Sequence, residues 1–259
     1  MPRTSEPGRS VSSRLLELLF SFGPGETELS LAELARKTGL PHATARRLVL
    51  ELTTAGALEQ RANGRFAVGL RLWQLGTLAP MTESLRTMAQ PFMDDLYTAL
   101  HQHVQLAVLE GEEAVIIERR SSPRALGLIS QVGGRLPLHC SGVGKVLLSH
   151  GESALTTKIL GSELRRHTPK TITDPDVLRS ELADCRRTGT AQVRGELTKD
   201  ADSIATRIVN HEGRVVAAIS VVVLSGSVHR QAALPSVITS GRGISRMLGW
   251  HPGVKVRKG

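Results

Sequence analysis

The segment TGLPHATARRL, Thr38–Leu48, stops one helical pattern and starts another almost at once. Ahead of it, Ser30 and Glu33 have the spacing of a capping box, which predicts a helix running through Thr38. Gly39 is placed to end that helix in a left-handed or turn conformation. Pro41 suits the first turn of the next, where its missing N–H is no loss. On this new helix Ala45, Leu48, Val49 and Leu52 fall at i, i+3, i+4 and i+7, a single buried face. His42, Ala43, Thr44, Arg46 and Arg47 are left on the opposite side, and Gly56 closes the helix. Such a corner is either a device for reading DNA or a helical turn inside an enzyme.

The flanking sequence argues for DNA. Val11, Leu15, Leu18, Leu19 and Phe22 predict a preceding helix that stops at Gly23. Beyond Gly56, apolar Leu58, Phe66 and Val68 flank Asn63-Gly64, a strong hairpin signal. Arg36–Arg71 carries seven basic residues (Arg36, Lys37, Arg46, Arg47, Arg61, Arg65, Arg71) against two acidic ones, Glu51 and Glu59. Val11–Ala35 has only Arg14 against Glu17, Glu26, Glu28 and Glu33, so the positive field falls on the later half of the corner and the hairpin. Three helices and a basic two-stranded wing make a winged helix-turn-helix over residues 11–69, behind a flexible tail at 1–10. The net charge of +9 over the 259-residue chain is too evenly spread to carry this inference by itself.

The rest of the chain has a different pattern. Leu70, Leu72, Leu75 and Leu78 continue a helical pattern, read as a linker helix over 70–82 with a kink expected at Ala79-Pro80. Residues 83–259 then hold strands in runs: two around Gly111, a short one near Leu126–Gln131, and later ones near Ala191–Leu197, Ile204–Asn210 and Val215–Leu224. Helices fit Glu152–Leu160, Asp174–Thr188 and Gln231–Leu248, with another opening at Gly142. This order predicts an α+β domain on an antiparallel sheet. The apolar run VVAAISVVVL is about half of what a bilayer span requires. The amino terminus lacks the apolar core of a signal peptide, and Cys140 and Cys185 form neither a disulfide framework nor a metal cluster, so a cytoplasmic protein without a cofactor is expected. An aromatic share of 3% argues against single-strand binding by stacking.

With those elements in order, the chain resembles the IclR family of bacterial transcriptional regulators. The likeness rests on TGLPHATARRL, on GRFAVGLRLWQLG at Gly64–Gly76, on LPLHCSGVGKVLL at Leu136–Leu148, on TDPDVLRSELADCRRTG at Thr173–Gly189, and on GRVVAAIS at Gly213–Ser220. It implies a winged-helix DNA-binding domain joined to a GAF-like sensor domain, in a dimer or tetramer on a roughly palindromic operator. It also implies regulation, commonly repression, by a small metabolite. Some pocket positions depart from the family's habit: GTAQVRGE at Gly189–Glu196 has lost most of its carboxylates, Ser203 stands where cysteine is common, and Val222 replaces a frequent serine. Those changes lean toward a less polar effector.

By helix-turn-helix geometry His42, Ala43, Thr44, Arg46 and Arg47 face the major groove or its rim. Arg61 and Arg65 on the wing suit phosphate, and Ser30 sits at a helix N-terminus that can meet phosphate. In the sensor domain the N–H groups of Gly142 and Val143 can hold a carboxylate, Ser203 and Ser220 can orient it, and Leu126, Leu128, Leu138 and Val222 can line the apolar part. Catalysis fares worse. Gly142-Val-Gly144-Lys145 lacks the earlier glycine and the following Ser/Thr of a phosphate loop. His139-Cys140-Ser141 has no acid partner at a recognisable spacing, and His101 and His103 share a face only in a strand. The chain therefore reads as an effector-modulated transcriptional regulator and not an enzyme. The competing readings are a metabolite-binding enzyme and a ligand-independent DNA-binding protein.

Overall fold

The computed structural model describes residues 10–23, 25–78, 80–121, 131–227 and 229–251. The chain divides between Glu83 and Ser84 into two compact units.

The first unit contains helices α1 (Val11–Leu19), α2 (Leu31–Thr38), α3 (His42–Thr54) and α4 (Leu70–Thr77), with strands β1 (Glu28–Leu29), β2 (Leu58–Gln60) and β3 (Phe66–Val68). The Ser30 capping box is present. Ser30 Oγ accepts from the Glu33 N–H at 3.3 Å, and the Ser30 N–H donates back to the Glu33 carboxylate at 2.7 Å. Gly39 ends α2 at φ 65°, the left-handed conformation that its position predicts. Pro41 sits one place earlier than expected, as the N-cap of α3. Leu34, Leu48, Val49 and Leu58 interlock with Leu18, Leu29 and Phe66 as one buried core.

The wing differs from expectation in two ways. Its sheet has three strands in the order β1-β3-β2, because Glu28 and Leu29 pair with Ala67 and Phe66. Its turn spans Ala62, Asn63 and Gly64: the Arg61 N–H donates to the Arg65 carbonyl at 2.8 Å, and only Gly64 has positive φ. A two-residue Asn-Gly turn needs positive φ at both central residues, so this is the longer turn that ends in a left-handed glycine.

The second unit is a six-stranded antiparallel sheet between two helical layers. It contains α5 (Pro80–Leu100) from Ser84 onward, β4 (His103–Glu110), β5 (Glu113–Arg120), β6 (Arg135–Pro137), α6 (Gly142–His150), α7 (Ser153–Leu160), α8 (Pro175–Thr188), β7 (Thr190–Arg194), β8 (Ala201–Val209), β9 (Val215–Leu224) and α9 (His229–Met247). Strand order is β6-β5-β4-β9-β8-β7. Ile204, Ile219, Val221 and Val223 face α5 and α9, meeting Leu85, Met93, Val237 and Ile244. Ala107, Ala205 and Ala218 face the other way and pack with Val143, Val146 and Leu147 of α6 and Leu178 and Leu182 of α8. A strand covered on both faces needs apolar residues at every position, which is why Val215–Leu224 reads as a continuous run. Asp174 caps α8 by accepting from the N–H groups of Asp176 and Val177, with Pro175 opening the helix. The short strand expected near Leu126–Gln131 and the kink at Ala79 fall outside the described residues, apart from Gln131 and Pro80 at their edges.

Candidate DNA-binding face and effector cavity

On α3 the two faces separate as their spacing predicts. Ala45, Leu48, Val49 and Leu52 are buried, His42, Ala43, Arg46 and Arg47 are exposed, and Thr44 is half-buried. Arg47 Nη1 donates to Glu51 Oε1 at 2.6 Å one turn along the same helix, with both side chains about half exposed. An exposed pair of this kind is worth only about 0.3–0.5 kcal/mol, so a phosphate or a base edge can displace Glu51. Arg46 makes no ion pair among the described residues.

The wing arginines are engaged within the unit. Arg65 donates from Nη2 to the Glu28 carbonyl at 2.9 Å and to Glu33 Oε2 at 2.7 Å, tying β3 to β1 and to the start of α2. Ser30 Oγ reaches the same Glu33 oxygen at 2.8 Å. The Ser30 N–H, the Ser30 hydroxyl and then the Arg65 and Arg36 charges hold the Glu33 carboxyl below its ordinary pKa. Arg61 pairs with Glu59 at 2.8 Å and reaches Glu28 at 3.6 Å. In this state Ser30 serves the helix cap that its spacing expected, and Arg65 serves wing architecture, a use that the sequence pattern did not show.

The second unit holds a cavity of about 310 Å³ on the α6 side of the sheet. Its floor is Gln105 of β4, Val222 of β9, Ser203 and Ala201 of β8 and Val193 of β7, and its walls are Leu136, Pro137, Cys140–Val143, His167, Leu197 and Thr198. Of the residues expected to bind an effector, Gly142, Val143, Ser203 and Val222 are brought together here. Leu126 and Leu128 lie outside the described residues. Two expectations are corrected. Leu138 is 1% exposed and belongs to the core beneath α6, while its neighbour Leu136 reaches the cavity. Ser220 is fully buried away from the lining, and its hydroxyl has no hydrogen-bond partner among the described residues. The helix α6 covers the sheet as far as Ala205, which is paired across the ladder with Ser220, and the cavity opens only one step further on, at Ser203 and Val222.

The glycines of Gly142-Val-Gly144 allow close packing. A Cβ on Gly142 would lie 2.4 Å from Ser203 Oγ, and one on Gly144 would lie 2.7 Å from both the Pro137 carbonyl oxygen and the Leu138 Cα. The Ser141 hydroxyl caps α6 by accepting from Gly144 N–H at 3.1 Å. That leaves the N–H groups of Gly142 and Val143 without an acceptor among the described residues, at the positive end of a helix bordering the cavity. Lys145 does not serve a phosphate. It is 2% exposed and its Nζ lies 2.5 Å from Glu181 Oε2 and 2.8 Å from Glu196 Oε1. Glu196 is thus the buried counter-charge of Lys145.

Cys140 and His167 of the cavity wall lie far apart in sequence, and His139 lies beside them. Burial pushes the Cys140 thiol up to about 12, with the nearby Glu196 charge adding to it. Burial pulls both His139 and His167 below the ordinary imidazole value, His167 being closer to solvent. His139 Nε2 donates to the Arg165 carbonyl at 3.0 Å. Among the remaining candidates, His101 sits at φ 51° before β4 begins, so it shares no strand face with His103, whose Nδ1 lies 2.6 Å from Ser121 Oγ.

Comparison with known proteins decides the family. The model of the IclR helix-turn-helix domain matches residues 12–62, and that of the bacterial transcriptional regulator IclR C-terminal domain matches residues 81–246. The chain belongs to the IclR family. It is 30% identical over 243 residues to the HTH-type transcriptional regulator XynR of Escherichia coli K12, covering 92% of this chain and 96% of that protein. It is 29% identical over 253 residues to the Pca regulon regulatory protein of Pseudomonas putida, covering 95% and 86%. An IclR homolog from Microbacterium hydrocarbonoxydans, solved in complex with 4-hydroxybenzoate, superposes with a TM-score of 0.88 at 33% identity, covering 93% of this chain and 99% of that one. These relatives are transcriptional regulators and not enzymes, and the IclR architecture of a winged helix-turn-helix followed by an α+β domain is the one described above. No helix among the described residues is long and apolar enough to cross a membrane.

Proposed function

We propose that this IclR protein binds a double-stranded operator in the cytoplasm through α3 and the wing, and that a small organic acid in the cavity of its second unit modulates that binding. The observation that carries the reading is the cavity's chemistry. A mostly apolar space of about 310 Å³ is bordered by Ser203 and by two helix N-terminal N–H groups that have no acceptor among the described residues. That volume lies at the small end of ligand sites, and such amides favour a carboxylate. Because a structural relative was crystallised with 4-hydroxybenzoate, aromatic and short aliphatic acids are the first ligands to test. One of them is expected to raise the melting temperature and to change operator affinity measured by fluorescence anisotropy. If an acid stabilises the protein and operator affinity ignores it, the modulation fails; if none stabilises it, the cavity reading fails as well.

A homo-oligomer is part of the same proposal. Leu70, Trp73, Leu75 and Leu78, all on or just after α4, are 65%, 64%, 63% and 72% exposed. So dense a group of large apolar side chains on one short helix favours a partner surface, and a second copy of the chain supplies the matching one. Trp73→Glu is expected to halve the mass measured by light scattering at micromolar concentration and to weaken binding to a two-half-site operator. A wild-type chain that is already monomeric there would remove this part of the proposal.

A further inference from the structure

We propose that His139, Cys140 and His167 form a site for a thiophilic divalent cation of the zinc class, with its open coordination position facing the cavity. Each residue offers one ligand atom, and the three atoms lie within 4.8 Å of one another. In a tetrahedral site, Zn–N bonds near 2.0–2.1 Å and a Zn–S bond near 2.3 Å place ligand atoms about 3.3–3.6 Å apart. Closing that gap needs a shift of about 1 Å, which His167, an exposed residue outside any helix or strand, can provide.

Three further features favour the ion. The Nε2–H of His139 already donates to the Arg165 carbonyl, which fixes the tautomer and leaves the Nδ1 lone pair free, the usual arrangement of a ligating imidazole. Cys140 and His167 both line the cavity, so a fourth ligand, water or a carboxylate, can approach from that side. The fixed charges around these groups are Arg165 and Lys145 against Glu181 and Glu196, which together sum to zero, so the surroundings do not repel the ion. Binding replaces the thiol S–H bond by a metal–sulfur bond and releases that proton to solvent, with no change of oxidation state. The open position matches catalytic-type rather than closed structural zinc sites, and in a regulator it makes the ion a contact for a ligand.

The inference does not depend on the effector reading, since the ion can be read without DNA or acid. The full-length protein, reduced and stripped of metal, is titrated with Co2+ as a spectroscopic probe and then with Zn2+. The expected result is one Co2+ per chain, with a thiolate-to-cobalt charge-transfer band and intense visible bands that Zn2+ abolishes. Cys140→Ser is expected to lose the charge-transfer band and Cys185→Ser to keep it, which separates this thiol from the other. His167→Gln, at an exposed position where the fold has little to lose, is expected to weaken Co2+ binding at least tenfold. A wild-type titration without the band, a band that survives Cys140→Ser, or an affinity unmoved by His167→Gln would each overturn the site.

Discussion

Arg47→Ala is expected to lower operator affinity about tenfold to a hundredfold and to remove most discrimination between the operator and a scrambled duplex. The magnitude follows from the loss of one forked contact to a base edge, about 1–3 kcal/mol. Position on α3 makes Arg47 the candidate: it lies with His42, Ala43 and Arg46 on the side opposite Ala45, Leu48 and Val49. Folding stability should hardly move, because the only bond lost among the described residues is the exposed pair with Glu51. Glu51→Ala therefore serves as the control, freeing Arg47 and leaving DNA binding intact or tighter. Arg65→Ala should behave differently. Its guanidinium joins Glu28 and Glu33, so its loss loosens the wing, lowers the melting temperature of the first unit and weakens all duplexes alike. Anisotropy titrations against both duplexes at several salt concentrations separate the two patterns. An unchanged preference in Arg47→Ala would place the reading face elsewhere.

How much of this was legible beforehand depended on how local each signal was. Ser30 with Glu33, Gly39 as a left-handed stop, and Asp174 with Pro175 each act within one turn of helix, and each is found where the spacing put it. The antiparallel sheet was legible from its strands, since β9 is apolar at nearly every position. The two-residue β1 has too little length for a period of its own, and it exists only because β3 offers an edge to Glu28 and Leu29. Arg65 looked like a phosphate ligand because its partners lie more than thirty residues earlier in the chain. In the cavity the failures were of depth rather than of face. Ser220 and Val222 lie on the same side of β9, yet α6 covers the first and stops short of the second. His167 is brought beside Cys140 only by the loop after α7, and no motif spacing announces such a meeting.

Lys145→Met is expected to destabilise the second unit by about 3–5 kcal/mol, the usual effect of stripping one partner from a buried ion pair. The ammonium is 2% exposed and Glu196 is 7% exposed, so after the substitution a carboxylate remains in the interior with no cation. Glu181, at 43% exposure, can turn to solvent and adds little to the loss. Even in the intact protein, burial raises the Glu196 pKa above its ordinary value, with Lys145 opposing the shift. Removing that opposition raises it further. A carboxyl with a raised folded pKa contributes stability below its unfolded value, near 4.5, and that contribution is lost as pH rises through the folded value. The penalty in Lys145→Met should therefore be small near about pH 5 and approach its full size near about pH 8. Adding Glu196→Gln removes the stranded charge and should recover more than half of the stability at the higher pH, although neither substitution alone does so. Urea unfolding of the single and double variants at both pH values measures each quantity. A loss below about 1 kcal/mol that is the same at both pH values would mean that Glu196 finds another neutraliser or reaches water once Lys145 is gone.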